Sequence, residues 1–308
     1  MPRAAAAAPA AQQAPADLFT RLRQRFDALT PELQRAGRWV IDHPGETGIL
    51  SMRQQAKRAG VSAPTMLRLA RALGFDDYAS FRRPFQAALT GGALEFRSKA
   101  SALQAAPAGA STGALGHEIA EAQARDVQSV QALNTADAID AAIDAIRAAR
   151  RVGFLGVRAS FGVAFQFRYA YNLIGRNAVL FDGLAGTVQD QVDVLERGDC
   201  LIAISQSPYS APTVEAVQSA AARGIAIVAL TDSALSPLAR AATHALLFRA
   251  ESVSYFHSMI GPLALVELLL ARIAAKGGKT VLRRLAEVED RLTRSRAYWR
   301  APTRSRIQ

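Results

Sequence analysis

The chain has 308 residues, half of them apolar and one fifth charged, and its formal net charge is +11. This length predicts two domains with linkers rather than a single core, and no apolar run approaches the roughly 18–20 residues of a membrane span. The single cysteine, Cys200, excludes an intramolecular disulfide and favours a reducing, cytoplasmic location. The four histidines are scattered, so the sequence predicts no metal site.

The positive charge is concentrated towards the two ends of the chain. Residues 17–89 carry a net charge of +5, residues 131–275 a net charge of −1, and residues 276–308 a net charge of +7. Basic ends that flank a neutral middle favour contact with a polyanion, although a solvated cationic face is a common alternative. Residues 1–16 are rich in Ala and Pro without the apolar core of a signal peptide, which predicts a disordered tail.

Residues 17–89 are predicted to form an all-helical domain. Apolar residues recur at helical spacing over residues 17–29, which predicts a first helix. A second helix is predicted from Thr30 to about Asp42, because Thr followed by Pro is typical of a cap and a first helical residue. His43, with the Pro-Gly that follows it, is expected to break this helix.

Two short helices are predicted next, on either side of a tight glycine turn. Ser51 and Gln54 have the spacing of a capping box and start a helix that ends at Gly60. A further helix starts after Ser62 and ends at Gly74. Because Gly60 can adopt the left-handed backbone of such a turn, the pair is typical of a helix-turn-helix.

The second helix of this pair carries the candidate DNA contacts. In a helix-turn-helix, the amino-terminal end of the second helix enters the major groove. An arginine there can read guanine or hold phosphate, and hydroxyls can contact phosphate or bases. The predicted DNA-binding residues, on the outer face or at the start of the helix, are Ser62, Ala63, Thr65, Arg68 and Arg71. An ordinary helical hairpin with surface arginines is the alternative.

This segment resembles the amino-terminal domain of RpiR-family transcriptional regulators. The resemblance lies in Ala59-Gly-Val-Ser-x-x-Thr65 and in Arg71-Ala-Leu-Gly-Phe-x-x-Tyr-x-x-Phe81. That family joins such a domain to a phosphosugar-binding SIS domain. The resemblance therefore implies a ligand-responsive, DNA-binding transcriptional regulator, and helix-turn-helix proteins that read paired half-sites are expected to be homodimers or homotetramers.

Residues 90–130 are predicted to be a linker, rich in Gly, Ala, Ser and Pro, with a connecting helix over residues 117–133. The following segment, residues 131–275, alternates apolar strand-like runs with helical patterns. The predicted strands are residues 151–157, 178–181, 200–205, 226–231 and 244–248. This alternation predicts an α/β domain with a five-stranded parallel sheet covered by helices on both faces, which follows the all-α helix-turn-helix domain.

Ligands bind such sheets beyond the carboxyl ends of the strands, where three turns are candidates. The first lacks the glycine spacing of a dinucleotide-binding turn, so no nucleotide cofactor is predicted. The second places Ser205, Ser207 and Ser210 just before a helix, whose free N–H groups and partial positive charge favour anions. In the third turn, Ser236 is expected to cap a helix without any ligand role.

The second domain resembles SIS domains over its full length. The phosphosugar loop of that family reads Ser-x-Ser-Gly-x-Thr, where this chain has Ser205-Gln-Ser-Pro-Tyr-Ser210. The resemblance implies that Ser160, Ser205, Ser207 and Ser210 bind a small anionic, sugar-type effector. Pro208 departs from the family's glycine and removes an N–H group, which leaves the identity of the anion open. Simple turn and cap roles for the serines are the alternative.

Catalysis by a SIS-type sugar-phosphate isomerase or lyase with a helical accessory domain is the alternative function. Glu251 and His257 follow the last strand near the predicted pocket, but their pattern does not require proton transfer. The prediction is therefore a regulator and not an enzyme, with no catalytic residue and no cofactor. A structural SIS dimer without a ligand is a third possibility.

Residues 276–308 are predicted to form a basic carboxyl-terminal helix and tail. The Gly-Gly pair after Lys276 is expected to end the last helix of the SIS domain, and an apolar stripe over residues 281–292 predicts another helix. A helix that packs on the domain is the favoured interpretation. Additional non-specific affinity for DNA or RNA is the alternative.

Overall fold

The computed structural model of the chain describes residues 18, 19, 21, 22, 25–90, 96–105 and 111–299. The predicted tail over residues 1–16 lies outside this part of the chain, as do portions of the first helix, of the linker and of the basic tail. Among the described residues, the helices are too short or too polar to cross a membrane.

The amino-terminal region is helical, as predicted. Its helices are α1 (Pro31–Asp42), α2 (Pro44–Ile49), α3 (Met52–Ala59), α4 (Ala63–Ala72) and α5 (Tyr78–Thr90). Leu18 and Leu22 are fully buried in the core of these helices. Helix α2 was not predicted: the chain turns at His43, but Pro44 immediately starts a new helix, because proline is well suited to the first helical position.

Helices α3 and α4 form the helix-turn-helix. Ser51 Oγ accepts the N–H of Gln54, whose side chain accepts the N–H of Ser51 at 2.9 Å, so the capping box is present. Gly60 has the expected left-handed backbone, with a φ of 66°. Ala56 of α3 and Met66 of α4 are buried in the same apolar cluster. These contacts explain how the two short helices are held at a fixed angle.

Three helices connect this region to the sheet: α6 (Phe96–Gln104), α7 (Thr112–Leu133) and α8 (Ala136–Ala148). Helix α7 begins five residues before the predicted start at residue 117. The Ser111 hydroxyl caps it by accepting the N–H of Ala114 at 3.1 Å, and such a cap stabilises the first turn of a helix.

A five-stranded parallel sheet forms the second region. Its strands are β1 (Val152–Leu155), β2 (Ala178–Phe181), β3 (Cys200–Ile204), β4 (Ala226–Thr231) and β5 (His244–Leu247), in the order β2-β1-β3-β4-β5. Gly153 of β1 lies beside the Phe181 ring, which would be only 2.3 Å from a Cβ atom at that position. The strand order reverses between β1 and β3, which makes their carboxyl ends the expected ligand edge.

Helices cover both faces of this sheet, which confirms the predicted α/β fold. They are α9 (Phe161–Ile174), α10 (Val188–Val192), α11 (Ala211–Ala222), α12 (Pro237–Ala241), α13 (Ile260–Lys276) and α14 (Gly278–Arg294). Alternate residues of β3 belong to different apolar clusters, with Cys200 and Ile202 on one face and Leu201 and Ala203 on the other. A strand buried on both faces is typical of parallel sheets.

Helix α7 is attached to the edge of the sheet by polar side chains. Asn134, at its carboxyl end, donates its amide N–H to the carbonyl of Leu247 and accepts the N–H of Leu247, each at 2.7 Å. This amide pairs with the edge strand as a neighbouring strand would. One turn earlier, Ser129 Oγ accepts the N–H of Arg249 at 3.3 Å. The connection between the two regions therefore contacts the segment that follows β5.

Candidate functional site

The predicted DNA contacts are distributed from the N-cap of helix α4 to its last turn. The Ser62 hydroxyl caps the helix by accepting the N–H of Thr65 at 3.3 Å. Ser62, Arg68 and Arg71 are exposed, and Ala63 is half-buried. These four residues are compatible with a surface that approaches DNA.

Thr65 does not belong to this surface, so the prediction that it lies on the outer face is wrong. Its side chain is fully buried, because helical spacing places it on the same face as Leu69, which packs in the core. Its hydroxyl lies 2.8 Å from Ser62 Oγ, donates to Glu32 Oε2 at 3.4 Å and accepts from Arg68 Nη2 at 3.1 Å. Thr65 therefore orients its neighbours.

The turn after β3 brings the predicted ligand-binding serines together. Ser205 is buried at the end of the strand, and its hydroxyl oxygen accepts the N–H of Ser210 at 3.3 Å. Ser160, buried in the turn after β1, donates its hydroxyl to Gln206 Oε1 at 2.9 Å. Residues 45 positions apart in the chain thus share one turn because β1 and β3 are neighbours in the sheet. We call the segment 205–210, with Ser160, the serine turn.

A carboxylate that sequence reasoning missed also belongs to the serine turn. Asp232, directly after β4, accepts the N–H of Ser207 at 3.1 Å and the hydroxyl of Tyr209 at 2.9 Å. Burial raises the pKa of Asp232, and the hydrogen bonds from Ser207 and Tyr209 oppose that rise, although the residue as a whole is only half-buried. Its position at the carboxyl end of a strand was the signal that could have identified it.

The backbone of the serine turn is a poorer anion cradle than the family pattern implies. Pro208 has no N–H group to offer to an anion. The N–H of Ser207 donates to Asp232, and the N–H of Ser210 donates to Ser205. An anion bound here therefore depends more on hydroxyl groups than on free backbone N–H groups.

Two such hydroxyls lie at the start of α11. Ser210 Oγ and Thr213 Oγ1 are buried and make no hydrogen bond with any residue that the structure describes. Ser210 occupies the cap position of α11, but its side chain does not cap the helix, so the simple cap role does not apply to it. A buried polar group without a partner costs about 1–3 kcal/mol. Both of these hydroxyls lie at the N-terminal turn of α11.

A cavity of about 310 Å³ lies between α7 and residues 251–260. Glu251 and His257 both line it, whereas the pocket near which they were expected is the one at the serine turn. Glu251 Oε2 accepts from Arg249 Nη2 at 2.5 Å, and burial, aided by the positive charge of Lys99, lowers the pKa of His257. The predicted serines are not part of its lining. In the described parts of the chain, no cluster of three or more His, Cys, Asp or Glu side chains could hold a metal ion.

Ser236 has the structural role that the sequence predicts. Its hydroxyl accepts the N–H of Ala239 at 2.9 Å and caps α12. Lys276 also behaves as expected, since α13 ends there and Gly278, with a φ of 58°, begins α14. Helix α14 packs on the domain, where Arg176 donates to Glu287 at 2.8 Å.

The chain resembles one protein family in its sheet region, and it resembles a solved structure over most of its length. Residues 145–272 match the SIS domain family. The sugar isomerase domain of an RpiR transcription factor from Sphaerobacter thermophilus is 31% identical, with a TM-score of 0.55 over 57% of this chain and 98% of that chain. The NanR protein of Vibrio vulnificus, complexed with ManNAc-6P, is 21% identical and shares the fold over 91% of this chain and 100% of that chain, with a TM-score of 0.55.

Curated relatives include regulators and longer proteins. The HTH-type transcriptional regulator HexR of Pseudomonas aeruginosa is 27% identical over 232 residues, which are 74% of this chain and 77% of that protein. The bifunctional protein Glk of Paraburkholderia xenovorans is 27% identical over 229 residues, and this chain spans only 35% of its length. The SIS match and the extensive similarity to the Sphaerobacter protein lead to one conclusion: the chain belongs to the RpiR family of transcription factors.

Proposed function

We propose that this regulator binds operator DNA through α4 and senses a small, phosphorylated, sugar-type metabolite in the serine turn. The observation that carries the sensing role is the pair of buried, unpartnered hydroxyls of Ser210 and Thr213 at the N-terminus of α11. Ser205 and Ser160 lie in the same turn. Hydroxyls at a helix N-terminus suit an oxyanion, and the relatives named as sugar-isomerase-domain regulators support a sugar effector.

The DNA-binding role rests on exposed charge at the helix-turn-helix. Arg68 and Arg71 are exposed on α4, whose amino-terminal end is capped by Ser62, and Arg71 lies in the last turn of the helix. A recognition helix inserted by this end in the major groove brings arginines to phosphates and base edges. We assign DNA reading to residues 17–89, ligand sensing to residues 131–275 and the connection to residues 90–130.

A second copy of the chain is proposed to pack on helix α9. Phe161, Phe165 and Tyr169 are exposed in one row, with neighbouring rings 6.2 and 6.3 Å apart. Monomeric soluble proteins rarely expose large contiguous apolar patches. Because the two ring spacings are nearly equal, an antiparallel pair of α9 helices brings Phe165 against Phe165 on a two-fold axis. Such a dimer supplies the two reading helices that paired half-sites require.

Replacement of Phe165 by Glu tests this dimer. A charge on the two-fold axis meets its own copy, so we expect a monomer in light scattering and weaker binding to DNA with two half-sites. Tyr255→Glu, which changes another exposed aromatic residue, is the control. A Phe165→Glu protein that keeps the wild-type mass contradicts the proposed interface.

The hydrogen bonds of two carboxylates, one at the serine turn and one at the cavity, favour sensing over catalysis. Asp232 accepts hydrogen bonds from Ser207 and Tyr209, and Glu251 pairs with Arg249. Carboxylates engaged in this way are not presented as free bases to a substrate. We therefore propose that the chain is not an enzyme. Turnover of sugar phosphates by the purified protein, detected by NMR and abolished by Glu251→Gln, would overturn this proposal.

Thermal-shift screening and DNA binding test the proposed function together. Phosphorylated sugars and sugar acids are added to the full chain, and a ligand of the folded state must raise the melting temperature. The same ligand is expected to change the affinity for promoter DNA in fluorescence anisotropy. Thr213→Val is expected to weaken ligand binding about fivefold, which is the effect of losing one hydrogen bond. The control Ser101→Ala changes an exposed residue of α6 and is expected to leave ligand binding unchanged. Failure of every compound to shift the melting temperature contradicts the sensing role.

A further inference from the structure

A leucine of the sheet region is buried in the apolar core of the helix-turn-helix region. Leu235 lies just after β4, and only 4% of it is exposed. It belongs to the apolar cluster that holds the amino-terminal helices together, which also contains Met66 and Leu69 of α4. Among the described buried residues of this cluster, Leu235 alone lies beyond residue 85. The helix-turn-helix region therefore packs on the sheet region at this leucine.

The loop that carries Leu235 is held by its own serines. We call residues 232–236 the β4 loop. Ser233 is buried, and its hydroxyl oxygen accepts the N–H of Leu235 at 3.1 Å. The carbonyl of Ser233 accepts the N–H of Ser236 at 3.0 Å, and the hydroxyl of Ser236 caps α12. Because these bonds fix the backbone on both sides of Leu235, the leucine and the rest of the loop move together.

The β4 loop begins in the serine turn. Asp232, its first residue, accepts the N–H of Ser207 at 3.1 Å and the hydroxyl of Tyr209 at 2.9 Å. An oxyanion in the serine turn competes with Asp232 for the N–H of Ser207, since an ionised acceptor is a strong partner for a backbone N–H group. One short loop thus contacts the proposed anion site at one end and the helix-turn-helix core near the other.

We propose that the β4 loop is a docking surface for the chain's own helix-turn-helix region, and that Leu235 transmits effector binding to this region. Without an effector, Asp232 keeps its hydrogen bonds and Leu235 stays in the helix-turn-helix core. An anion in the serine turn shifts the loop at Asp232 and withdraws Leu235, so that α4 is no longer held in one orientation relative to the sheet.

The two halves of this inference differ in what they require. The docking stands on the burial of Leu235 alone. The transmission rests on the proposed function, since it needs an anion in the serine turn. A ligand shifts an equilibrium between two states only through contacts that differ between them, and the hydrogen bonds of Asp232 are that difference.

Hydrogen exchange on the full chain tests the docking. Leu235→Ser removes the apolar contact, and we expect the amides of α3 and α4 to exchange about tenfold faster or more, because local opening is easier where buried apolar area is lost. The strands β1 to β5 are expected to keep their protection. Leu184→Ser is the matched control, since Leu184 follows β2 and is 75% exposed. Wild-type exchange of α3 and α4 in Leu235→Ser overturns the docking.

DNA binding tests the transmission. Fluorescence anisotropy with promoter DNA is measured at constant ionic strength, because phosphate contacts make the affinity depend on salt. The added probes are inorganic phosphate, hexose 6-phosphates and pentose 5-phosphates. In the wild type, a probe that raises the melting temperature is expected to change the DNA affinity about fivefold or more. In Leu235→Ala the same probe still raises the melting temperature, but the DNA affinity changes by less than about twofold.

The outcomes separate this inference from the proposed function. Leu235→Ala also replaces Leu235→Ser in the exchange experiment if the serine variant does not fold, since alanine keeps part of the apolar contact. A wild-type response of the DNA affinity in Leu235→Ala overturns the transmission, while sensing at the serine turn stands. Failure of every probe to raise the melting temperature overturns the proposed sensing and the transmission together, and hydrogen exchange still decides the docking.

Discussion

In the helix-turn-helix region, both the N–H group and the oxygen of the buried Gln55 amide form hydrogen bonds. In the SIS domain, by contrast, the buried hydroxyl of Ser210 makes no hydrogen bond with a described residue. Gln55 donates to the carbonyls of Thr47 and Leu50 at 3.0 and 2.8 Å and accepts the hydroxyl of Tyr78 at 2.5 Å. These bonds tie α2, α3 and α5 together. The region thus uses its buried polar groups for its own stability.

The SIS domain and the connecting helix α7 leave several buried polar groups without ordinary hydrogen bonds among the described residues. Besides Ser210, the hydroxyl of Thr213 and both oxygens of Asp126 have no ordinary hydrogen bond within the described chain. Such groups lower stability unless something else pairs with them. From this difference we propose that recognition lies on the exposed arginines of one region and at the buried polar groups of the other. Four tests, each with its own comparison variant or condition, check whether this difference holds.

The largest effect is expected for Gln55→Leu. The change leaves two carbonyls and the Tyr78 hydroxyl without their partner, so we expect a loss of about 3 kcal/mol in the free energy of unfolding. Urea denaturation of the full chain measures it. Gln54→Ala, which removes only the exposed half of a capping box, is the matched control at about 1 kcal/mol or less. Equal losses for the two variants would contradict the structural role of Gln55.

The second largest effect concerns DNA binding. Arg68→Ala is expected to weaken binding to the chain's own promoter DNA by about 1–3 kcal/mol, the value of a good bidentate base contact. Arg83→Ala, which removes an exposed arginine from α5, tests for a general charge effect. Fluorescence anisotropy at fixed salt concentration provides the measurement. If both variants lose the same affinity, the specific role of α4 is excluded.

A third, pH-dependent effect is expected at Asp126. Burial raises the pKa of this carboxyl from its ordinary value near 3.8 to about 6. Between these values the folded chain binds the proton more tightly than the unfolded chain, so stability falls as the pH rises through this window and stays lower above it. Asp126→Asn is therefore expected to stabilise the chain by roughly 1–2 kcal/mol at pH 8 and hardly at all at pH 4. A gain that is the same at both pH values refutes this explanation.

The smallest effect comes from a matched pair of serines. Ser51→Ala removes a hydroxyl that caps α3 and is expected to cost about 1 kcal/mol of stability. Ser210→Ala removes a buried hydroxyl that has no partner among the described residues, so we expect an equal or higher melting temperature but weaker binding of the anionic effector. Thermal melts and calorimetry compare the two. Lower stability in Ser210→Ala would show that its hydroxyl has a structural partner after all.

Short-range patterns were sufficient for most of the secondary structure. The five predicted strands match β1 to β5 with differences only at their ends, because buried parallel strands are continuous apolar runs separated by helices. The capping box at Ser51 and the turn at Gly60 were also predictable, since a cap and a left-handed glycine depend on residues three to five positions apart. Helix α2 was missed because a Pro-Gly pair more often ends structure than begins it.

The site depended on contacts that no local pattern contains. Thr65 carries a typical polar side chain, yet packing against α1 buries it. Asp232 joins the serine turn only because β4 lies beside β3. Likewise, Gln206 contacts Ser160 and Met259, which are separated from it by about 50 residues on either side.

Local spacing and composition thus predicted the helices, the strands, the family resemblance and three of the serines in one turn, since each depends on neighbours in the chain. The order of the strands decided which turns meet, and the packing of α7 against the loop after β5 created the cavity. The free energy of a buried polar group depends on everything within hydrogen-bond distance of it. For that reason, only the tertiary structure distinguishes the hydroxyl of Ser62, used as a cap, from that of Ser210, which has no hydrogen-bond partner among the described residues.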